Sequence, residues 1–223
     1  MIGAMKRGPR QPASRLGALC LCGLLVTTLA AQTQRSDTDP QVVFDEAVRD
    51  FMNLDIDESA AGFDELVALL PDFAPSLWQR GIVLYYAGRY DDCREQFESH
   101  RTVNPNDVEN AAWHFLCVAR AESPGEARSA LLPVGPDPRV PMGEVYEMLS
   151  GSKTAEDVMA ATAGRLSAEF FAHLYLGLYA EALGDYEEAI EHIRAAAVDN
   201  YARVGGFMHT VARVHLSLHP MGP

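Results

Sequence analysis

The chain has 223 residues, 48% apolar and 22% charged, with 17 glycines, 13 prolines and 4 cysteines. This balance excludes a collagen, a disulfide-stapled miniprotein and a generally disordered chain, and it leaves room for one or two domains with a continuous core. The formal charge of -13, from 18 basic and 31 acidic side chains, opposes the positive field that a nonspecific nucleic-acid binder needs to displace counterions.

Residues 1–15 carry Lys6, Arg7, Arg10 and Arg15 and no acid, and residues 16–31 read LGALCLCGLLVTTLAA. The polar segment QTQRSDTDP follows. A basic, then apolar, then small and polar order is the pattern of an export signal. Thr28 and Ala30 suit its cleavage site, and Leu29 and Ala31 suit it less well. The run is shorter than the roughly 20 residues of a bilayer-spanning helix, so a cleaved leader (1–31) is expected ahead of an uncleaved anchor. Cys20 and Cys22 raise the alternative of a lipidated cysteine, but Leu19 and Leu21 stand where a small residue belongs. Loss of the leader would remove four cations and take the charge from -13 to -17. Residues 32–40 read as a linker.

From Val42 onward, amphipathic segments rich in Ala, Leu, Glu and Arg alternate with short breaks, and few strand-like alternations compete. Helices are expected at 42–54, 59–69, 75–87, 90–101, 108–121 and 124–132. Short ones follow near 142–149 and 154–163, then longer ones at 167–183, 186–198 and 203–217. Pro71 and Pro105 deny an interior amide bond. Gly88 and Gly184 can close a helix at positive φ. Asp91, Asp92, Asp185 and Glu187 follow at helix starts, where acids suit the dipole. PVGPDPRVP at 133–141 cannot continue a helix. Cys93 and Cys117 each lie in an apolar helical pattern. They are either buried thiols or a disulfide across adjacent helices, which export would permit.

An internal period organises the chain. Phe63–Pro71 aligns with Phe97–Pro105 at an offset of 34 residues. Gly88-Arg89-Tyr90-Asp91-Asp92-Cys93 aligns with Gly184-Asp185-Tyr186-Glu187-Glu188-Ala189. These motifs resemble tetratricopeptide repeats. The clearest units are 74–107, with Gly81, Gly88, Tyr90, Cys93, Phe97 and Pro105, and 170–203, with Leu176, Gly177, Gly184, Tyr186, Ala189, Ile193 and Ala196. Tyr201 stands where proline is usual. A degenerate unit at 40–73 keeps Ala47, Phe63 and Pro71, and one at 108–141 keeps Ala127 and Leu131. The separation of Gly88 and Gly184, 96 residues, is not a whole number of periods, so the middle must be irregular. The resemblance implies an all-α, right-handed solenoid of helix pairs over 40–219. The helix at 203–217 would cap its end, with Arg213, His215 and His219 facing outward.

The resemblance also implies binding through a concave face lined by the first helix of each pair. Carried over, that face comprises Trp78, Ile82, Tyr85, Tyr86, Glu109, Arg120, Phe171 and Glu181. Aromatic rings bury much area with few rotors to freeze, and Arg120 is placed to pair with a peptide carboxylate. The face lacks the cluster of Lys and Arg expected for an acidic chain terminus. The same stripe could instead pack against the C-terminal helices. His114, His173 and His209 lie on three helices and form the alternative site, acid–base or metal-binding, although the first two sit at packing positions in the repeat register. The chain has no HExxH, no GxSxG and no phosphate loop, and Gly205-Gly206 reads as a kink or close contact. No cofactor and no metal are called for.

The expected function is thus an exported, non-enzymatic scaffold or adaptor in the periplasm or envelope, binding a protein or peptide and no nucleic acid. It resembles bacterial envelope adaptor lipoproteins built from these repeats. A small His-centred hydrolase or metal-binding protein is one rival. A self-assembling structural protein is the other, which would make the chain a homo-oligomer. Membrane association would come from an uncleaved leader or a lipid.

Overall fold

The computed structural model describes residues 39–219, which are all-α with no strand among them. The expected leader and nearly all of the linker lie outside the described residues. Twelve α-helices run in order: α1 (Pro40–Met52), α2 (Ile56–Leu69), α3 (Trp78–Tyr86), α4 (Tyr90–His100), α5 (Val108–Ala121), α6 (Pro124–Ser129), α7 (Met142–Ser150), α8 (Ala155–Ala161), α9 (Leu166–Leu183), α10 (Tyr186–Ala196), α11 (Ala202–Gly205) and α12 (Phe207–Leu218). None is long and apolar enough to cross a membrane.

The helix starts have local causes. Asp39 caps α1, accepting from the Gln41 amide at 2.9 Å, and Pro40 fills the first turn where no amide partner is needed. Asp107 caps α5 through the Glu109 amide, Ser123 caps α6 ahead of Pro124, and Thr154 and Asp157 form a reciprocal capping box on α8. The 3₁₀ turn Pro71–Ser76 delays α3 to Trp78, three residues later than the sequence pattern suggests, because Pro75 interrupts the amide series.

Three helical hairpins organise the chain, α1 on α2, α3 on α4, and α9 on α10, and α4 also packs closely on α5. Two of them share one closing device. Gly88 (φ +70°) and Gly184 (φ +85°) end α3 and α9. The following amides, Arg89 N–H and Asp185 N–H, then turn back to Leu84 O and Ala180 O, each at 2.9 Å. They also share one packing contact. A Cβ placed on Gly81 would lie 2.6 Å from the Phe97 ring, and one on Gly177 would lie 2.7 Å from Ile193 Cγ1. In both hairpins the small residue of the first helix admits the large residue sixteen positions on. The architecture is therefore repeat-like at these two places in contact as well as in sequence.

Gly81→Ala is expected to destabilise by about 1–2 kcal/mol, because the overpacking cost exceeds what alanine gains in helix propensity. Phe97→Leu, which removes the ring atoms nearest the added methyl, should recover part of that loss. Urea unfolding of the two single variants and the double variant measures the coupling; strictly additive losses would mean that no such contact limits the pair.

The hairpins are joined by buried apolar side chains from nearly every helix, among them Phe51, Phe63, Ile82, Phe97, Trp113, Leu116, Met148, Phe170 and Leu174. Asp64 of α2 ties the first hairpin to the second, holding Arg80 at 2.7 Å and Arg89 at 2.6 Å. Cys93 of α4 and Cys117 of α5 form a disulfide, with Cα atoms 5.9 Å apart, resolving the two readings left open by the sequence.

The middle is irregular, as the spacing requires. After α6 the chain crosses a proline-rich loop, and α7 packs on α5 while α8 packs on α7 and α9. In that loop Arg139 is bound by three carboxylates, Asp107, Glu109 and Asp137. Asp137 also accepts the Val108 amide at 3.2 Å, which fixes the loop against the start of α5.

The C-terminal region departs from the expected outward cap. Gly206 (φ +52°) splits the expected 203–217 helix into α11 and α12. A Cβ on Gly205 would lie 2.7 Å from the Phe170 ring, so the glycine pair is both a break and a close contact. α12 packs on α10 and also reaches α1. Its Phe207 stacks on Phe51 at 5.9 Å and meets Trp78 edge-on at 5.2 Å. Arg213 is exposed, but His215 is buried, 2% exposed, and faces inward. The physical reason is pairing: a buried carboxylate on α9 and a tyrosine on α3 supply the polar partners that this histidine needs.

Candidate ligand-binding site

The residues expected to line the concave face fall into two groups. Ile82 and Tyr85 are buried, and Tyr85 stacks edge-on with Tyr86, Tyr90 and Trp113. Tyr86, Arg120 and Glu181 join a polar relay with α12. Tyr86 Oη lies 3.1 Å from His215 Nδ1, His215 Nε2 lies 2.7 Å from Glu181 Oε2, and Glu181 Oε1 accepts from Arg120 Nη1 at 3.2 Å. A carboxylate can only accept, so Nε2 carries a proton. In the neutral ring Nδ1 then accepts from the tyrosine hydroxyl. Burial pushes the Glu181 carboxyl up, but His215, His219 and Arg120 outweigh it and hold the group below its ordinary value. Arg120 also lies over the Tyr90 ring at 5.7 Å. Its charge is thus engaged within the chain. Phe171 is half-buried, against Phe170 at 4.9 Å.

Trp78 and Glu109 belong to a different feature, a cavity of about 220 Å³ where α3, α4, α5, α12 and the proline-rich loop meet. Trp78, Phe97, Trp113 and Met208 supply apolar walls, and His100, Asp107, Glu109, Asn110 and Arg139 supply polar ones. Phe97 and Trp113 stack at 6.4 Å. Glu109 accepts from the Tyr175 hydroxyl at 2.6 Å, and burial raises its carboxyl above the ordinary range despite Tyr175 and Arg139. Asp137 is held the other way, since the bonds from Arg139 and Val108 outweigh burial and lower it. His100 Nδ1 lies 2.7 Å from Pro75 O. That carbonyl can only accept, so Nδ1 donates, and in the neutral ring Nε2 is left as an acceptor. Two further lining residues carry buried polar atoms with no partner, Asn110 Oδ1 and Trp113 Nε1. An unpaired buried polar atom costs about 1–3 kcal/mol, so a cavity wall with two of them is a feature that a bound group would relieve.

No family model and no curated protein matches this chain. Its site must therefore be read from its own geometry.

The three histidines of the alternative site keep separate company. His114 Nε2 faces Glu98 Oε1 at 3.3 Å, His173 meets His192 with their Nδ1 atoms 2.9 Å apart, and His209 Nε2 donates to Val198 O at 3.0 Å. No hydrogen bond or ring contact joins any two of the three. Among the described residues no three His, Cys, Asp or Glu side chains are grouped to hold a metal ion.

Two of these histidines and the partner of one predict a pH dependence. Burial lowers His114 despite Glu98, and burial lowers both His173 and His192, with His192 depressing His173 further. The folded values lie below the unfolded value of about 6.5. The unfolded chain therefore binds more protons as pH falls, and stability present above pH 6.5 is lost below it. Urea unfolding should give a smaller free energy at pH 5.5 than at pH 7.5, and His192→Asn should flatten that dependence. An unchanged slope in the variant would remove the histidine pair as its source.

Sequence reasoning placed Trp78 and Glu109 but missed Trp113, Asn110, His100, Asp137, Arg139 and His215. Asp137 and Arg139 had a weak signal, two opposite charges in a loop otherwise rich in proline. His215 has none, because an end-capping helix would present that position outward.

Proposed function

We propose that this protein is a non-enzymatic binding module of the envelope, in which an exported solenoid with tetratricopeptide-like repeats holds a segment of another protein on its inner face. One observation carries the reading: the aromatic-walled cavity between α3, α5 and α12, with two unpartnered buried polar atoms in its lining residues. The repeated Gly81–Phe97 and Gly177–Ile193 contacts support the repeat geometry. The Cys93–Cys117 disulfide supports an oxidising compartment. The chemistry is reversible and noncovalent. A residue-sized group enters the cavity, and the neighbouring chain runs along the rim, as in the adaptor proteins that the repeats resemble.

Selection from a random peptide library tests this. A shared consensus should emerge, and its binding should be lost in Trp78→Leu, which keeps apolar cover against Phe207 but removes the ring. No consensus, or one indifferent to Trp78→Leu, would contradict the proposal.

Self-assembly has one observation in its favour. Leu70 and Phe73 are exposed together just after α2, beside Phe44, with Phe73 52% exposed. Mass measurement by light scattering would show a dimer dissociated by Phe73→Asp if that face joins two copies, and a monomer at all concentrations if it does not.

A further inference from the structure

The cavity has a charge preference of its own. Two carboxylates line it, Asp107 and Glu109, and a third, Asp137 of the loop, pairs with Arg139 beside them. The single cation among them, Arg139, already donates to all three. A guanidinium offers donors in a fixed fork, and here Nε, Nη1 and Nη2 all donate to carboxylates, so an entering anion would find the cation engaged and the carboxylates repelling. The two Glu109 oxygens, by contrast, accept one hydrogen bond each, from Arg139 and Tyr175, and Asp107 Oδ2 accepts one from Asn104, so each of these three keeps a second lone pair to offer. Asn110 Oδ1 is a further acceptor without a partner. Trp78 and Trp113 add aromatic faces, which attract cations through the ring quadrupole.

We infer that the cavity binds a primary ammonium group presented by a peptide, either a lysine side chain or a free chain N-terminus. This inference rests on the binding reading above and specifies its ligand. The acidic residues receive the ammonium, the two indoles and Met208 enclose the carbon chain behind it, and the unpartnered indole N–H of Trp113 donates to a ligand carbonyl. The volume of about 220 Å³ equals that of about seven waters at ~30 Å³ each, which suits one side chain. Recognition of this sign is the reverse of capturing an acidic chain terminus. It also agrees with the overall charge of -13, which would steer a basic partner toward the molecule.

Intrinsic fluorescence provides the assay, because the chain has two tryptophans and both line the cavity. The probes are n-butylammonium, n-butanol and butyrate, followed by acetyl-Ala-Lys-Ala-amide and Ala-Ala-Ala-amide with a free N-terminus. Butylammonium should change the emission saturably, with butanol and butyrate at least about tenfold weaker, a difference of ~1.4 kcal/mol. The tighter of the two peptides identifies the source of the ammonium. The Asp107→Asn/Glu109→Gln double variant keeps the capping oxygen and the acceptor for Tyr175 while removing charge, and it should lose about tenfold in ammonium affinity. Should it fail to fold, added salt serves instead: it should weaken ammonium binding to the native protein and leave butanol unaffected. Butyrate or butanol binding as well as the amine would overturn the charge preference while leaving a peptide site in place. Silence toward every amine probe would overturn the inference, and silence joined to a failed peptide selection would overturn the binding reading with it.

Discussion

Glu181→Ala is expected to cost about 3–5 kcal/mol, the range for breaking a buried salt bridge, because it removes the carboxylate that Arg120 and the buried His215 share. The Glu181 and His215 side chains are 2% and 3% exposed, so neither can turn to water if the other is lost. His215 would keep only the Tyr86 hydroxyl, and Arg120 would lose its carboxylate. For a domain of this size each kcal/mol moves Tm by roughly 2–4 °C, so a fall of about 10 °C is expected. The Glu181→Leu/His215→Leu double variant should recover much of it, because an apolar pair has no desolvated charge to satisfy. If the double variant is as unstable as the single, the relay contributes through shape rather than charge. Acid should act through the same carboxylate. Its folded value lies below the unfolded one, so its stabilisation is present above the unfolded value and is lost as pH falls through the folded value.

Reduction of the Cys93–Cys117 disulfide should cost about 3.5 kcal/mol, the loop-entropy figure for a closed loop of this length. The two positions are 24 residues apart and both side chains are buried, so the bond joins α4 to α5 beneath the cavity. Urea midpoints with and without reductant measure the effect. Cys93→Ala/Cys117→Ala should match the reduced protein and be insensitive to reductant. Equal midpoints in all three states would mean that the covalent link adds nothing to packing.

The two places where the repeat was legible are those where backbone conformation depends on one residue. A turn closed at positive φ leaves a glycine in the sequence, and a close helix–helix approach leaves another, so Gly88, Gly184, Gly81 and Gly177 could be read without coordinates. α5 could be placed to the residue because Asp107 and the apolar stripe agree. The inward turn of α12 could not. Its apolar face suits an end cap and an inner packing partner equally well, and only Phe51, Trp78, Tyr86 and Glu181, distant in sequence, decide between them. The site was half legible for a related reason. The resemblance to tetratricopeptide repeats implies Trp78 and Glu109 as binding-face residues. The cavity, however, depends on a proline-rich loop folding back so that Arg139 reaches Asp107 and Glu109, and periodicity carries no information about where a loop returns.

α12 also bears on how much of the inner face remains open. By covering Phe51 and the start of α3 it leaves the aromatic stripe engaged within the molecule, with the cavity beside Trp78 as an opening between α3 and α5. A bound segment is therefore expected to be short, anchored by one side chain rather than laid along the full length of the repeats.

The central claim, that the inner cavity holds a ligand, is tested most directly by proton–nitrogen NMR of the two indole groups. Trp78→Leu assigns the pair by removing one signal. Titration with the library-selected peptide should move the Trp113 indole proton downfield as its N–H gains an acceptor, in step with binding measured by calorimetry. A peptide that binds by calorimetry while both indole signals stay in place would put the binding surface elsewhere and contradict the account.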